Sequence, residues 1–460
     1  MNILYVGAGF VGSCSAAVAA DSGHQVFLFD IDKEKIKKLS SNDRDTIESC
    51  IFEEGLGDLL IRNRDRISFT NDYQKVISFL ETCDVVFLCL PTPEIGETGE
   101  SDLTYYFSAT ETLGVWLAKR QEGKQSKYIV IVNKSTVPIT MIDTTEEIMK
   151  KHGVQNYGVV SNPEFLVEGK AIAGSIRPDR VVVGAWKEKD FSIMRNLYQR
   201  FHDSSTVKYI EANPKEAAAG KLLANFVLFN KLAVCFDVVG RVAEQFTDIQ
   251  FENLRRILIT DPRIGSWGLY DSLYAGGSCF IKDARSLSHQ LQTAGQNASL
   301  VNETYSANKR QLEMFIGRAE KEAALDWKGI KVALFGLSFK QDTNDIRNSP
   351  SIDIVNYILE RQVGNIVAYD PVATESFKHV FPGEKKLQFV SNEESALKGV
   401  DVAIIATDWP QFRSLGDSII QSKKKILLMD GRRMTQHMYK PLSEAGISII
   451  AVGSPFIKGK

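Results

Sequence analysis

The chain lacks the cysteine and histidine patterns that hold metal ions. None of its six cysteines belongs to a CxxC pair or to a cluster with histidine. They are Cys14, Cys50, Cys83, Cys89, Cys235 and Cys279. Because zinc sites need such spacing, we expect no metal. Cysteines scattered in this way are typical of a reduced cytosolic enzyme, so the expected location is the cytoplasm.

An excess of charge is missing as well. The chain has 55 Lys+Arg against 57 Asp+Glu, a formal net charge of -2. A balanced chain offers no polybasic surface, so neither nucleic acid nor a membrane is an expected partner. No low-complexity tract, short repeat or signal-peptide pattern is visible. The 460 residues are enough for two or three domains.

What the chain does have is a glycine pattern at its start, MNILYVGAGFVG. An apolar run predicts a strand at 3–6, and residues 10–20 predict a helix. Gly7 suits a tight turn, Gly9 lets a pyrophosphate reach the backbone, and Gly12 permits close helix packing. The pattern predicts a dinucleotide-binding loop.

An acidic residue follows the second predicted strand, Gln25–Phe29. This residue, Asp30, lies roughly 20 residues beyond the glycines, where a carboxylate binds the ribose hydroxyls. Because a carboxylate repels a ribose phosphate, NAD is favoured over NADP as the cofactor. Strand, glycine loop, helix, strand and acid together predict an NAD-binding Rossmann domain.

Four further apolar runs predict buried parallel strands. They are Val85–Leu90, Tyr128–Val132, Gly158–Val160 and Arg180–Val183. Three motifs lie at or near the ends of these strands: PTP at 91–93, KSTVP at 134–138 and NPEFLVEG at 162–169. In open α/β sheets ligands bind beyond the carboxyl ends of the strands, so these are the expected cofactor and substrate loops. For PTP, the alternative that the prolines only end a strand stays open.

A long, mostly apolar segment from Asn213 to about Gln245 predicts a buried helix. Polar residues interrupt it at Asn225, Asn230, Lys231 and Asp237, which argues against a membrane span. We expect it to join two domains and to pack against its copy in a second subunit. Lys221 and Asn225 lie four residues apart, so both can point into one pocket. Two polar residues at the wet edge of an amphipathic helix are the open alternative.

The motif GGSCFIKD places Cys279 behind two glycines and ahead of Lys282 and Asp283. Residues 284–293 alternate at helical spacing, so Cys279 is expected near a helix N-terminus. That position and a nearby lysine both favour the thiolate. The glycines would let a substrate carbon approach the sulfur. The motif predicts a nucleophilic cysteine.

The last third of the chain repeats the first in outline. Strands are predicted at Ile330–Phe335 and Asn365–Tyr369, with a helix at Ser351–Glu360 and an acid at Asp370. The intervening loop, GLSFKQDTNDIRNSP, has one glycine and carries Lys340, Asp345 and Arg347. It is a poor cradle for a dinucleotide but suits a diphosphate held by side-chain charge.

Eight motifs in order resemble the nucleotide-sugar dehydrogenase family, and most closely its UDP-glucose branch. They are GAGFVG, KSTVP, NPEFLVEG, KLLAN, DPRIG, GGSCFIKD, FKQDTNDIR and DGRR, and they span essentially the whole chain. The resemblance implies an α/β fold of two Rossmann-like doubly wound domains joined by a long central helix. The corresponding regions are 1–212, 213–325 and 326–460. It also implies a homodimer or a higher oligomer.

The implied reaction oxidises the C6 alcohol of UDP-glucose to a carboxylate with two NAD and one water. An aldehyde yields no second hydride until a nucleophile makes it tetrahedral, and Cys279 would supply that nucleophile through a thiohemiacetal and a thioester. Lys221 and Asn225 would stabilise the oxyanion, and Asp283 would hold water and move protons. By resemblance, Thr136 and Glu164 join the water network.

Other residues are assigned by the glycine pattern or by resemblance. Residues expected along the cofactor are Gly7, Gly9, Phe10, Val11, Gly12, Asp30, Lys35, Leu90, Thr92, Ser135, Thr136, Val137, Glu168 and Arg347. Residues expected along the substrate are Glu164, Phe165, Leu166, Glu168, Lys221, Asn225, Arg263, Tyr270, Gly276, Phe339, Lys340 and Arg432. In the family, the arginine that matches Arg263 reaches the substrate of the neighbouring subunit.

Three alternatives stay open. A sister enzyme that oxidises GDP-mannose or a UDP-N-acetylhexosamine would share the cysteine chemistry. A two-electron hydroxyacid or phosphogluconate type of dehydrogenase would need no nucleophilic cysteine. A non-catalytic NAD-binding regulator would leave Cys279, Lys221 and Asp283 without a purpose. The cysteine motif GGSCFIKD departs from the family pattern at one position. The residue before its lysine is Ile281, where the family usually has proline or glutamine.

Overall fold

The computed structural model describes residues 1–121, 126–270 and 272–460, and it divides into two compact units. The units are Met1–Ala224 and Asn225–Lys460. The predicted fold is confirmed, because each unit contains a Rossmann-like sheet and one long helix runs through the division. The three predicted regions, 1–212, 213–325 and 326–460, stay a prediction.

Eight strands form the sheet of the first unit, within the described ranges. They are β1 (Asn2–Val6), β2 (Gln25–Phe29), β3 (Ile67–Thr70), β4 (Val85–Leu88), β5 (Ile129–Asn133), β6 (Tyr157–Ser161), β7 (Arg180–Gly184) and β8 (Lys208–Ala212). Their order is β3-β2-β1-β4-β5-β6-β7-β8. Every residue of β4 and β5 is buried, as expected for apolar strands covered on both faces.

Helices of the first unit lie between these strands. They are α1 (Phe10–Asp21), α2 (Lys33–Leu39), α3 (Arg44–Cys50), α4 (Leu56–Arg62), α5 (Tyr73–Leu80), α6 (Thr104–Gln121), α7 (Met141–Lys151), α8 (Ala171–Ile176), α9 (Glu188–Leu197) and α10 (Gln199–His202). Helix α1 is rich in alanine and mostly buried, so it packs closely on the sheet. This packing places the glycine loop at the carboxyl end of β1.

One prediction about this sheet is wrong: β7 does not run parallel to β6. The two strands meet in an antiparallel pairing of Ser161 with Gly184, and β7 then pairs with β8 in parallel. A parallel return needs a crossover that carries the chain back along the sheet. The connection here contains only the six-residue helix α8 among its described elements, so the chain turns back directly.

The glycine loop is shaped by two close backbone approaches. Gly7 has φ +101°, and a Cβ there would lie 2.3 Å from the carbonyl oxygen of Cys89. A Cβ on Gly12 would lie 1.9 Å from the carbonyl oxygen of Gly7. Gly9 differs, because no described residue beyond its own chain neighbours comes within 4 Å of its Cβ position. Two of the three glycines are therefore required by the fold itself.

The long helix begins with α11 (Pro214–Val234), continues as a π-helical turn at Cys235–Gly240, and ends with α12 (Arg241–Gln245). By length and composition alone it could cross a membrane, and 39% of its most apolar window is buried in the chain. The predicted helix is present, but much of it is exposed. Its large exposed apolar residues are Leu223, Val227, Val234 and Val238.

Six parallel strands form the sheet of the second unit, within the described residues. They are β9 (Lys331–Phe335), β10 (Asn365–Tyr369), β11 (Leu387–Phe389), β12 (Val402–Ile405), β13 (Leu427–Asp430) and β14 (Ser448–Ala451), in the order β11-β10-β9-β12-β13-β14. Its α-helices beyond α12 are α13 (Phe251–Ile259), α14 (Cys279–Thr293), α15 (Ser299–Ala323), α16 (Pro350–Glu360), α17 (Thr374–Lys378), α18 (Glu393–Leu397), α19 (Leu415–Gln421) and α20 (Tyr439–Glu444). Short 3-10 turns lie at Pro410–Ser414 and Gln436–Met438.

Asp370 ends β10 as Asp30 ends β2, but it binds its own protein. One carboxylate oxygen accepts hydrogen bonds from Leu337 N, from Ser338 N and Oγ, and from Trp409 Nε1. The other oxygen accepts from the backbone of Val372 and Ala373. The carboxylate is therefore committed to loop structure, in agreement with the prediction that this half is a poor dinucleotide cradle.

Alanine substitutions at Gly12 and Gly9 compare a glycine that the fold requires with one that has open space at its Cβ position. In Gly12→Ala the new Cβ collides with the backbone, so we expect the free energy of unfolding to fall by about 1–3 kcal/mol. Gly9→Ala, at φ -74° and with open space ahead, should change it by less than about 0.5 kcal/mol. Chemical denaturation of both variants tests this, and equal losses would contradict it.

Candidate active site

Two loops of the first unit are joined at the carboxyl ends of β4 and β5. The hydroxyl of Ser135 accepts a hydrogen bond from Leu90 N at 2.7 Å and lies 2.8 Å from Leu90 O. The hydroxyl of Thr92 donates to the carbonyl of Thr136 at 2.8 Å. The structure thus brings together four of the predicted cofactor residues, and buried Val137 follows them.

Asp30 is buried at the end of β2 and keeps acceptor capacity. Its Oδ2 accepts from Ala8 N at 2.8 Å and from Lys35 Nζ at 3.2 Å, and its Oδ1 accepts from Asp32 N at 2.9 Å. A carboxylate offers about four lone-pair sites, so one remains for a ribose hydroxyl. Asp30 and Lys35, both predicted along the cofactor, are therefore in contact.

The glycine loop fits a dinucleotide. Phe10 and Val11 begin helix α1 directly after Gly9, and no side chain in the described part of the chain caps the helix there. Exposed helix amides bind phosphate, and the open space at Gly9 leaves room for a pyrophosphate to reach them. These residues would hold the cofactor.

Glu164 and Lys221 form a buried ion pair in the first unit. Lys221 Nζ lies 3.1 Å from Glu164 Oε1, and both side chains are nearly inaccessible. The other carboxylate oxygen accepts from Leu166 N at 2.5 Å, which closes the loop on itself. Phe165 lies under two cations, with Arg180 at 3.9 Å and Lys221 at 5.3 Å from its ring centre. Predicted residues 164–166 and Lys221 are thus brought together.

The same loop is held at its far end by Glu53, a residue that the sequence analysis missed. The buried Glu53 carboxylate accepts from Gly169 N at 2.9 Å and from Ile172 N at 3.2 Å. This fixes the backbone next to Glu168, a predicted cofactor and substrate residue. No local pattern in the sequence indicates Glu53, because it lies more than a hundred residues from its partners.

A second missed group surrounds Asn162 at the start of the loop. Its side-chain oxygen accepts from Lys134 Nζ at 3.0 Å and from the Tyr198 hydroxyl at 2.6 Å. Burial lowers the pKa of Lys134 to about 8, although Glu164 and Cys89 raise it. Lys134 and Asn162 stand within KSTVP and NPEFLVEG, but only their contact shows what they do. A cavity of about 420 Å³ is lined by Lys134, Asn162, Glu164, Phe165, Arg180 and Tyr198, among others.

Cys279 begins helix α14 in the second unit, as predicted, and its side chain is exposed. Asp283 lies one turn later and is buried. Its two oxygens accept from Lys282 Nζ and from Asn225 Nδ2, each at 2.6 Å. The structure therefore places the thiol at a helix N-terminus, one turn before a carboxylate held by a cation and an amide.

The structure gives the two glycines before Cys279 a packing role, and the predicted approach of a substrate carbon stays a prediction. A Cβ on Gly276 would lie 2.4 Å from the carbonyl oxygen of Asn348 and 2.9 Å from Cβ of Phe339. A Cβ on Gly277 would meet the Phe339 ring at 2.9 Å. The glycines face the loop after β9, so they allow that loop to pack against the cysteine motif.

Arg432 joins the other predicted substrate residues of the second unit. Its guanidinium donates to the carbonyls of Phe339 at 2.8 Å and Ala406 at 2.9 Å. Lys340 Nζ lies 5.8 Å from the centre of the Phe339 ring. Burial raises the pKa of Tyr270, and the positive charge of Arg432 opposes that rise. Asp271, the residue after Tyr270, lies outside the described residues.

Two arginines that were predicted to bind ligands form ion pairs with nearby acids within the second unit. Arg347 pairs with Asp345 at 2.6 Å. Arg263 pairs with Asp261 at 2.6 Å, and its side chain is 88% exposed. Its loop is held by Lys231, whose ammonium donates to the carbonyls of Ile264 and Gly265. These contacts leave the predicted ligand roles of both arginines as predictions.

Three domain models of one family match the chain in order. Residues 1–202 match the UDP-glucose/GDP-mannose dehydrogenase family NAD binding domain, residues 215–310 its central domain, and residues 333–437 its UDP binding domain. NAD is therefore the cofactor, and a UDP-sugar is the class of substrate. Both agree with the loops described for each unit.

Individual relatives are similar to this chain over nearly its whole length. A UDP-glucose 6-dehydrogenase of Pseudomonas aeruginosa is 31% identical over 468 residues, covering 99% of this chain and 98% of its own. The UDP-glucose 6-dehydrogenase TuaD of Bacillus subtilis is 31% identical, covering 100% and 94%. The structure of a UDP-glucose dehydrogenase from Pyrobaculum islandicum superposes with a TM-score of 0.84 at 26% identity, covering 95% of each chain. Similarity that runs through all three domains leaves one conclusion: the chain belongs to the UDP-glucose/GDP-mannose dehydrogenase family.

Proposed function

We propose that this chain oxidises the C6 alcohol of UDP-glucose to the carboxylate of UDP-glucuronate, with two NAD reduced and one water consumed. Full-length similarity to UDP-glucose 6-dehydrogenases supports the substrate. The observation that carries the chemistry is Cys279 at the first position of α14, one turn before a buried carboxylate. We also propose that the enzyme works in the cytoplasm.

In this proposal Cys279 makes the second oxidation possible. When bound, NAD accepts hydride from C6, and two equivalents take up the four electrons. The C6 hydroxyl loses its proton in the first oxidation, and the Cys279 sulfur then adds to the aldehyde carbon to give a thiohemiacetal. The second oxidation leaves a thioester, and water cleaves it to the carboxylate and the thiol. A helix N-terminus favours the thiolate needed for the addition.

The remaining residues hold charge, water and protons. The ammonium of Lys221 and the amide of Asn225 lie one turn apart on α11 and would stabilise the oxyanion at C6. The Asn225 amide also donates to Asp283, which fixes that carboxylate to accept protons from water. Glu164 would hold the hydrolytic water together with Thr136. Lys340, Arg432 and Phe339 would line the UDP-sugar.

We further propose that two copies of the chain form a homodimer in which Arg263 reaches the partner's substrate. The exposed Leu223, Val227, Val234 and Val238 of the long helix support an apolar contact, because buried apolar surface drives association. The Arg263 guanidinium is exposed and would exchange Asp261 for a diphosphate or sugar by charge-assisted hydrogen bonds.

Cys279→Ser should stop steady turnover. A serine hydroxyl is a much weaker nucleophile, so we expect the NADH production rate at 340 nm to fall more than about a hundredfold, with NAD affinity unchanged. Cys50→Ser, a matched change in the first unit, should keep the rate within about twofold. Two NADH per UDP-glucose at a near wild-type rate in Cys279→Ser would contradict the covalent mechanism.

Asp30 should make NADP a poor substitute for NAD. At roughly 1.5–3 kcal/mol per charge-assisted hydrogen bond, the preference in kcat/KM should exceed tenfold. Asp30→Ala should lower this ratio, because Lys35 loses its carboxylate partner and can meet the added phosphate. Asp32→Ala, on the same loop, should keep the ratio. An unchanged ratio in Asp30→Ala would remove Asp30 from the cofactor site.

Arg263→Ala should raise the KM for UDP-glucose at least about tenfold, the cost of one charge-assisted contact, and leave the KM for NAD unchanged. The exposed Arg256→Ala is the control and should match the wild type. Mixing Arg263→Ala with inactive Cys279→Ala under subunit exchange should restore part of the activity, because a mixed dimer has one intact site. No recovery despite proven exchange would place Arg263 outside the partner's site.

A further inference from the structure

The loop that carries Glu164 begins at Asn162, and both polar atoms of the Asn162 side chain are hydrogen-bonded. Asn162 Oδ1 accepts from Lys134 Nζ at 3.0 Å and from the Tyr198 hydroxyl at 2.6 Å. Its Nδ2 donates to Val182 O at 2.7 Å. Lysine can only donate and a carbonyl can only accept, so these partners fix the amide orientation. Three elements of the first unit therefore meet on Asn162.

The backbone of Asn162 is fixed as well, since its N–H donates to Asn133 O at 3.0 Å. Glu164 follows two residues later, and its carboxylate is bound to Leu166 N and Lys221. A shift of Asn162 would therefore move this carboxylate relative to Lys221. Misplacement of a catalytic group by a fraction of an ångström is enough to slow a reaction, because proton transfer needs aligned partners.

We infer that Lys134 and Tyr198 are positioning residues for Glu164: by locking Asn162 they hold the carboxylate where it orients the water that cleaves the thioester. This inference rests on the proposed function. Neither side chain needs to touch the substrate in this role. Lys134 and Tyr198 come from different elements, the loop after β5 and the residue before α10, so each can be removed without the other.

Tyr198→Phe is the decisive variant, because it removes one hydroxyl and keeps the ring. Tyr209→Phe is the matched control, since the buried Tyr209 hydroxyl has no hydrogen-bond partner among the described residues. Single-turnover rapid quench with excess enzyme and NAD would follow NADH and UDP-glucuronate separately. In Tyr198→Phe, NADH formation should keep its rate while the acid appears about fivefold more slowly, the rate equivalent of one hydrogen bond.

Lys134→Met provides a second variant that keeps the length of the side chain. It should slow acid formation by about tenfold, because the lost hydrogen bond is charge-assisted. Thioester should accumulate in both variants, whereas a merely unfolded fraction would lower NADH and acid in equal proportion. Such a parallel loss, unchanged acid formation, or an equal effect of Tyr209→Phe would overturn the positioning role.

The wild type in the same experiment separates this inference from the proposed function. Two NADH and one acid per UDP-glucose would establish the reaction, and the variants would then judge the positioning role alone. If the wild type formed no acid from UDP-glucose, the proposed function would fail first and the inference would fall with it.

Discussion

The structure of the first unit depends on the buried ion pair of Glu164 and Lys221. Two charges that are nearly inaccessible to water must be paired, and loss of one partner of such a pair typically costs about 3–5 kcal/mol. The pair therefore sets where the loop after β6 meets α11. Asn162 and Glu53 hold the two ends of that loop, so its backbone cannot drift away from the lysine.

The second unit also contains a buried carboxylate that needs partners, that of Asp283. This buried carboxylate is satisfied by one ammonium, from Lys282, and one amide, from Asn225. In each unit a carboxylate proposed to handle water is paired with a lysine and accepts a hydrogen bond from an amide. Asp283 is paired with Lys282 and accepts from the side chain of Asn225. Glu164 is paired with Lys221 and accepts from the backbone of Leu166. Such satisfied networks are rigid, and a rigid acid is what repeated proton transfer needs.

The sequence predicted what local patterns encode. Strands β1, β2, β4 to β7, β9 and β10, the glycine loop with Asp30, the long helix and the start of α14 at Cys279 follow from short periodicities and spacings. The reversed direction of β7 could not be predicted, because strand polarity depends on where a connection packs. The contacts of Gly276 with Asn348 and of Asn162 with Tyr198 were also missed, since each joins positions far apart in the chain.

Asp370 and Asp30 occupy matching positions in the two sheets but have different partners. Asp30, at the end of β2, has an acceptor site left for a ribose hydroxyl. Asp370, at the end of β10, accepts six hydrogen bonds from its own protein, which occupy all its acceptor sites. A substitution at Asp370 would therefore weaken the loop, because six hydrogen bonds would lose their acceptor. The acid that would recognise a ribose in one sheet is scaffold in the other, so a ligand of the second sheet must be held by other side chains.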